Sequence, residues 1–344
     1  MPPRKTEQIV QLLRHEILSG QRAPGARLPT YDAFTEQFGV TRPTVARGMK
    51  ALRSEGLVTG GGTRGVFVAR TLPHKSRYLW VTSERPGTPE WSSLSAALLE
   101  LVERGETGFA GEVVPLFGVD GRENNPAYHT LCEAVRCQSA AGLIVSASAT
   151  TALLPALQAA RLPAVTVGVS DAEVGLDVDA LIDRACARLL ARGTRLAVFS
   201  PEAAHLERVE ASLRDFGLPK RLLTTVHVAP VGCEKVTELL FERTEHPDAV
   251  LVADDALTAP LLAGLARTGV RAGRDVRVLA RCTWPCVVSD DDGVERLGFD
   301  AAEVLVAAKV GLEARREGRG LAPRVVPPRF AGELRSAKPI ASAA

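Results

Sequence analysis

The sequence predicts an α/β chain in two parts: a small helical N-terminal domain closed by a β-hairpin, and a larger body built on two parallel sheets. Three observations predict it. Residues 28–55 read as two short helices around a glycine turn. Beyond residue 76, short apolar runs alternate with helical stretches, the pattern of strands feeding helices over a parallel sheet. Charge also divides the 344 residues unevenly, with 12 Lys and Arg against 5 Asp and Glu in residues 1–75, and 30 against 35 in the remainder. Such asymmetry puts a polyanion-binding surface at the N-terminus.

In the first part, Ile9, Leu12, Leu13, Glu16 and Ile17 form a helical stripe that stops at Gly20. A second helix opens at Thr30, a hydroxyl N-cap, and is expected to bury Ala33, Phe34 and Phe38. Gly39 supplies the positive φ that ends it. Thr41 caps a third helix with Pro43 in its first turn, where a missing N–H costs little. Its buried stripe is Val45, Met49 and Leu52, and its opposite face carries Arg42, Thr44, Arg47 and Lys50. An apolar back with a basic, hydroxyl-bearing front suits the major groove of double-stranded DNA, and Thr41 joins that front. Two short strands, 56–58 and 66–68, flank a glycine-rich tip whose Arg64 is placed to reach phosphate or the minor groove. Residues 1–69 therefore read as a winged helix-turn-helix domain, its affinity expected to fall with salt.

Residues 70–76 lack periodicity and contain a proline, the features of a linker. Strands are expected at 78–82, 113–117, 142–145, 164–167, 196–199, 225–228, 249–252 and 276–280. Helices are expected at 94–104, 128–137, 153–160, 179–191, 206–216, 235–242, 257–268 and 301–317. A hydrophobic content of 46% is ample for their cores. The six cysteines are scattered as reduced thiols would be, and Cys282 and Cys286 form a close pair. The six histidines have no metal-ligand spacing, so neither metal nor cofactor is expected. No nucleophile elbow, Walker loop, dinucleotide fingerprint or zinc spacing occurs, which argues against an enzyme. The start lacks a signal peptide's apolar core and no stretch is long enough to span a membrane, so the expectation is a cytoplasmic protein without membrane partners.

Residues 6–69 resemble the winged-helix domain of GntR-type transcription regulators. The resemblance is carried by Pro24-Gly25-Ala26-Arg27-Leu28-Pro29, Phe38-Gly39-Val40-Thr41-Arg42-Pro43-Thr44-Val45, Leu52-Arg53-Ser54-Glu55-Gly56-Leu57-Val58 and Gly65-Val66-Phe67-Val68. That family usually has DNA-contacting arginines where this chain has Asp32 and Ala46, so the resemblance implies more reliance on Arg42, Thr44, Arg47 and Arg64.

Residues 77–335 resemble the LacI/GalR-type sensor domain, a two-lobed body like the periplasmic sugar-binding proteins. The motifs are Ala141-Gly142-Leu143-Ile144-Val145, Leu162-Pro163-Ala164-Val165-Thr166-Val167 and His246-Pro247-Asp248-Ala249-Val250-Leu251-Val252-Ala253-Asp254-Asp255, with looser matches around 189–198, 207–213 and 275–279. Together the two parts are similar to the arabinose-responsive repressors, a GntR-type head on a LacI-type body. The resemblance implies a homodimeric repressor on an inverted-repeat operator, released or retained by a small effector between two lobes, one of 77–168 and 289–320, the other of 169–288 and 322–335. It carries a sugar-binding arginine to Arg208 and a binding asparagine to Asp254, with Asp255 retained, and it lines the cleft with the loop 83–91. The family's acidic residue is Gly168 here, and its paired aspartates are Cys282-Thr283. Trp91 and Trp284 either stack on a ligand or fill the core. Arg85, Arg208 and Arg281 either hold an anion or, for Arg281, end a strand as a solvated charge. The ligand is therefore a sugar or a sugar-derived, anionic metabolite; the alternative is a sensor that has lost its ligand and only dimerises.

Overall fold

The computed structural model describes residues 5–61, 64–150, 153, 162–169, 172–190, 194–217, 219–286, 292–320 and 322–336. Apart from Leu153, the helix expected at 153–160 lies outside them.

The N-terminal domain contains α1 (Lys5–Leu18), α2 (Tyr31–Phe38) and α3 (Arg42–Ser54), followed by β1 (Val58–Gly60) and β2 (Val66–Val68), which pair antiparallel. Thr30 Oγ1 accepts the Ala33 N–H at 3.2 Å, capping α2, and Gly39 ends it at φ 57°. Thr41 stands at the N-cap of α3, but its hydroxyl meets Thr44 Oγ1 at 3.0 Å in place of a backbone N–H. Ile9, Leu13, Ile17, Phe34, Val45, Met49 and Leu52 are buried together in one core. Two expected members differ. Leu12 is 39% exposed because Val10 takes the flank of the α1 stripe, and Ala33 is exposed because the Phe34 ring fills the inward position of that turn. Leu72, read as linker, is buried in the same core, and a single helical turn follows, α4 (Pro73–Ser76).

The rest of the chain builds two six-stranded sheets. One consists of β3 (Arg77–Val81), β4 (Glu112–Leu116), β5 (Gly142–Ser146), β6 (Ala164–Gly168), β7 (Val174–Leu176) and β13 (Arg324–Val326), in the order β13-β7-β6-β5-β3-β4. The other holds β8 (Leu196–Ser200), β9 (Leu223–His227), β10 (Ala249–Val252), β11 (Arg277–Trp284), β12 (Val294–Asp300) and β14 (Arg329–Phe330), in the order β14-β12-β11-β10-β8-β9. Neighbours among the described pairings of this second sheet run parallel, except β12 with β14. The helices between them are α5 (Ser93–Arg104), α6 (Pro126–Cys137), α7 (Val178–Leu189), α8 (Ala203–Asp215), α9 (Pro230–Phe241), α10 (Thr258–Arg267), α11 (Ala301–Arg316) and α12 (Ala331–Ser336).

Strand pairing corrects the expected lobe boundaries. β7 continues from β6 in the first sheet, β12 pairs with β11 in the second, and β13 returns to β7. The three-residue strands Val174–Leu176 and Arg324–Val326 are too short to carry a periodic pattern, and they pair with each other across about 150 residues of sequence, so local pattern does not reveal them.

By compactness the chain forms two units: Met1–Ser83, Phe109–Thr166 and Gly311–Gly320 make the first, and Glu84–Gly108, Val167–Val310 and Leu321–Ala344 the second. In the first, Leu79, Val81, Leu143 and Val145 of adjacent strands pack on Leu131 and Ala134 of α6. In the second, Phe199, Val250 and Val278 pack on Leu240, Leu261 and Leu265 of α9 and α10. Among the described residues no helix is long and apolar enough to cross a membrane.

Candidate functional site

Two surfaces carry the candidate residues. On α3, Thr41, Arg42, Arg47 and Lys50 are exposed and Thr44 is half-buried, while Val45, Met49 and Leu52 are fully buried behind them. The Arg47 guanidinium lies back along its helix, donating to Pro43 O and Thr44 Oγ1, each at 3.4 Å. Arg42 faces the Asp32 carboxylate of α2 at 3.6 Å. Arg64 is exposed on the wing. Two further arginines hold the wing. Arg53 donates to Gly60 O at 2.7 Å, and Arg27 lies so close to Gly65 that a Cβ there would stand 3.0 Å from its Nε. Both belong to motifs quoted above, but their role needs the hairpin folded back beside them.

The second surface is a cleft of about 790 Å³ within the second unit, a size suited to a small ligand. Its walls are residues 89–96 before and within the first turn of α5, residues 201–208 after β8, residues 254–256 after β10, and Arg281 on β11. The last three lie at or near the carboxyl ends of parallel strands, where open α/β sheets take ligands. The segment from the first-strand loop is tied in place: Glu84 Oε2 accepts from Ser92 N and Oγ at 3.0 and 2.8 Å, and Ser93 Oγ meets Thr283 Oγ1 at 3.0 Å.

Arg208, Asp254, Asp255 and Trp91 all line this cleft. Arg208 is already paired with Asp179 at 3.3 Å, and Asp254 caps the turn after β10 by accepting from Ala256 N at 2.9 Å. Arg281 is no solvated strand end. Its side chain is 10% exposed, its guanidinium lies 6.0 Å from the Phe299 ring, and its Nε stands 3.9 Å from Asp255 Oδ1. Neither of those two atoms has a hydrogen-bond partner in the protein, and neither has His205 Nδ1 on the same cleft wall. Burial pushes the Asp255 carboxyl above its ordinary range, against the pull of Arg281. Burial likewise lowers His205, although Glu202 stands 3.7 Å from its ring.

Two expected ligand contacts fall elsewhere. Trp284 is half-buried and absent from the described cleft wall; three residues beyond Arg281 on one strand, it lies on the opposite face. Arg85 is exposed in its loop, also off that wall. His205 was missed by the sequence reading, since a lone histidine at the start of a helix carries no spacing signal. Cys282 is buried and Cys286 half-buried; a thiol–thiol hydrogen bond raises the first and lowers the second, and neither is in a disulfide. Among the described residues, no group of three or more His, Cys, Asp or Glu is placed to hold a metal ion.

Comparison with known proteins agrees with this division. Residues 5–68 match the family described as bacterial regulatory proteins, gntR family. Over 63 residues the chain is 36% identical to the HTH-type transcriptional repressor NagR of Bacillus subtilis (strain 168), a match spanning 18% of this chain and 26% of that repressor. In fold, the chain is similar to a LacI transcriptional regulator from a Rhodococcus species, with TM-score 0.57 and 19% identity over 74% of this chain and 96% of that one. It is also similar to the transcriptional regulator CelR in complex with cellobiose, with TM-score 0.54 and 17% identity over 88% and 98%. Residues 5–68 are thus a GntR-type winged-helix domain, and they precede a body with the α/β fold of LacI-type regulators.

Proposed function

We propose that this protein is a transcription regulator, a repressor that binds an inverted-repeat DNA operator as a homodimer and responds to a small polar ligand held in the 790 Å³ cleft. The observation that carries the DNA half is the basic, hydroxyl-bearing face of α3 standing on a fully buried apolar back. A single head offers few base contacts, so two heads on a two-fold site are needed for specificity.

The ligand half rests on three residues of one cleft wall, each with a buried polar atom that lacks a hydrogen-bond partner: Asp255 Oδ1, Arg281 Nε and His205 Nδ1. The 3.9 Å between Asp255 Oδ1 and Arg281 Nε is too long for a direct hydrogen bond. A ligand hydroxyl that reached both atoms from beside the pair would donate to the carboxylate and accept from the guanidinium at once. A carboxylate or phosphate there would face Asp255, so a neutral, sugar-like polyol fits better than an anion. Trp91, on the same cleft, offers an apolar ring for the ligand's apolar face.

The test is a gel-shift titration on an operator obtained by in vitro selection, with effector found by a thermal-shift screen of neutral saccharides and their phosphates and acids. Arg42→Ala and Arg47→Ala should each weaken operator binding tenfold or more while the fold stays intact. Arg208→Ala should keep operator affinity near normal and lose the response to effector. Unchanged binding by both α3 variants would remove this helix from the DNA interface, and a full response from Arg208→Ala would remove that residue from the site.

A further inference from the structure

The surface around α3 holds a charge of the wrong sign for a polyanion. Asp32, in the first turn of α2, is 74% exposed, and its carboxylate stands 3.6 Å from the guanidinium of Arg42, itself 69% exposed, at the start of α3. The two lie in a notch of about 520 Å³ that also involves Arg27, Tyr31 and Gly65, where the starts of both helices meet the wing. An exposed carboxylate beside phosphates weakens non-specific attraction. Its favourable place at a helix N-terminus accounts for local stability and leaves open why it faces an arginine on the same surface.

We propose that Asp32 and Arg42 act as one base-reading unit, selecting a G·C pair in each half-site. The inference rests on the DNA-binding reading above and names what that face recognises. In the major groove a guanine edge offers two acceptors, N7 and O6, and its paired cytosine offers the N4 amino donor. Arginine supplies donors only and a carboxylate accepts only, so the pair is complementary to that order of groups. Guanine O6 and cytosine N4 are joined by a Watson–Crick hydrogen bond of about 2.9 Å, an ordinary N–H···O length. A donor and an acceptor 3.6 Å apart in the protein can therefore address both bases of one pair. The carboxylate has nothing to gain from a phosphate, so it also keeps Arg42 directed at bases.

The experiment is in vitro selection of duplex DNA by the full-length wild type, Asp32→Asn and Asp32→Ala, followed by titration of the selected site and single-base variants of it. The wild type should demand G·C at one position of each half-site. Both variants should relax that position, cutting its discrimination about tenfold, and should bind unrelated DNA more tightly. Tighter binding with the base preference unchanged would make Asp32 a charge brake and overturn the proposal. An effect on thermal stability alone would reduce Asp32 to a helix-dipole residue and overturn it equally. A wild type that selects no sequence overturns the DNA-binding reading itself, which separates that failure from a failure of the Asp32 assignment.

Discussion

His205 and His74 are each held in a place that disfavours the imidazolium. Burial is the main cause for both. His74 also lies near Lys75 and Arg316, while at His205 the nearby Glu202 and Asp254 oppose the effect without cancelling it. Their folded-state values therefore sit below the ordinary 6.5. In the unfolded chain each takes up its proton first as pH falls, so the stability from keeping them neutral is complete above the ordinary histidine range and declines as pH drops through it toward the lowered folded-state values. Denaturant midpoints measured from pH 8 to 5 should fall with pH, and His74→Gln with His205→Gln should flatten that slope. An unaltered slope in the double variant would assign the acid sensitivity to other groups. The sequence locates both histidines but not this property, since burial is decided by segments far from either.

Helices α9 and α10 meet at a glycine. A Cβ on Gly264 would stand 2.5 Å from the Glu234 carbonyl oxygen and 2.7 Å from Thr237 Cβ, closer than real Cβ contacts. Helix propensity alone predicts that Gly264→Ala stabilises α10 by up to about 1 kcal/mol. Because the obstruction includes rigid backbone, the expected result is a net loss of about 1–3 kcal/mol instead. Gly232 in α9 provides the comparison. Its nearest contact for a Cβ is the Val228 side chain at 3.4 Å, and Gly232→Ala should be neutral or mildly stabilising in the same urea titration. A gain at Gly264 would mean that the helices separate at little cost. At this scale the sequence is informative about each element and silent about their distance: α10 was expected within one residue of its observed ends, α9 was expected to start five residues after it does, and the glycine shows its purpose only against Glu234 and Thr237.

Across the whole molecule, the charge division separates two tasks. The excess of 12 Lys and Arg over 5 Asp and Glu in residues 1–75 is consistent with phosphate neutralisation by the winged-helix domain. Operator affinity of the full-length protein should therefore drop by about 10³-fold or more between 50 and 200 mM salt, if a dimer makes six or more phosphate contacts. Sedimentation should give a dimer, and a half-site duplex should bind far more weakly than the inverted repeat. Equal affinity for half and full sites would argue that each head binds alone. Salt dependence near zero would place the basic residues away from the backbone.

Short-range physics made the DNA-binding domain legible from sequence. The Thr30 cap, the positive-φ Gly39 and the spacing of Val45, Met49 and Leu52 each act within a turn or two, so their signature is local. The same holds for most helices of the body and for most of its strands, but not for the interior strands β7 and β12. Tertiary structure decided what depends on distant partners. It set the pairing of β7, β12 and β13 and the exposure of Leu12 and Ala33, and it turned Trp284 away from the cleft. Above all it decided the fate of Arg281, which the residues alone left open between anion ligand and solvated strand end. Its place is fixed by Asp255 on the neighbouring connection and Phe299 on the adjacent strand. A charge's role follows from what desolvates it and what faces it, and in a parallel sheet both come from segments remote in sequence.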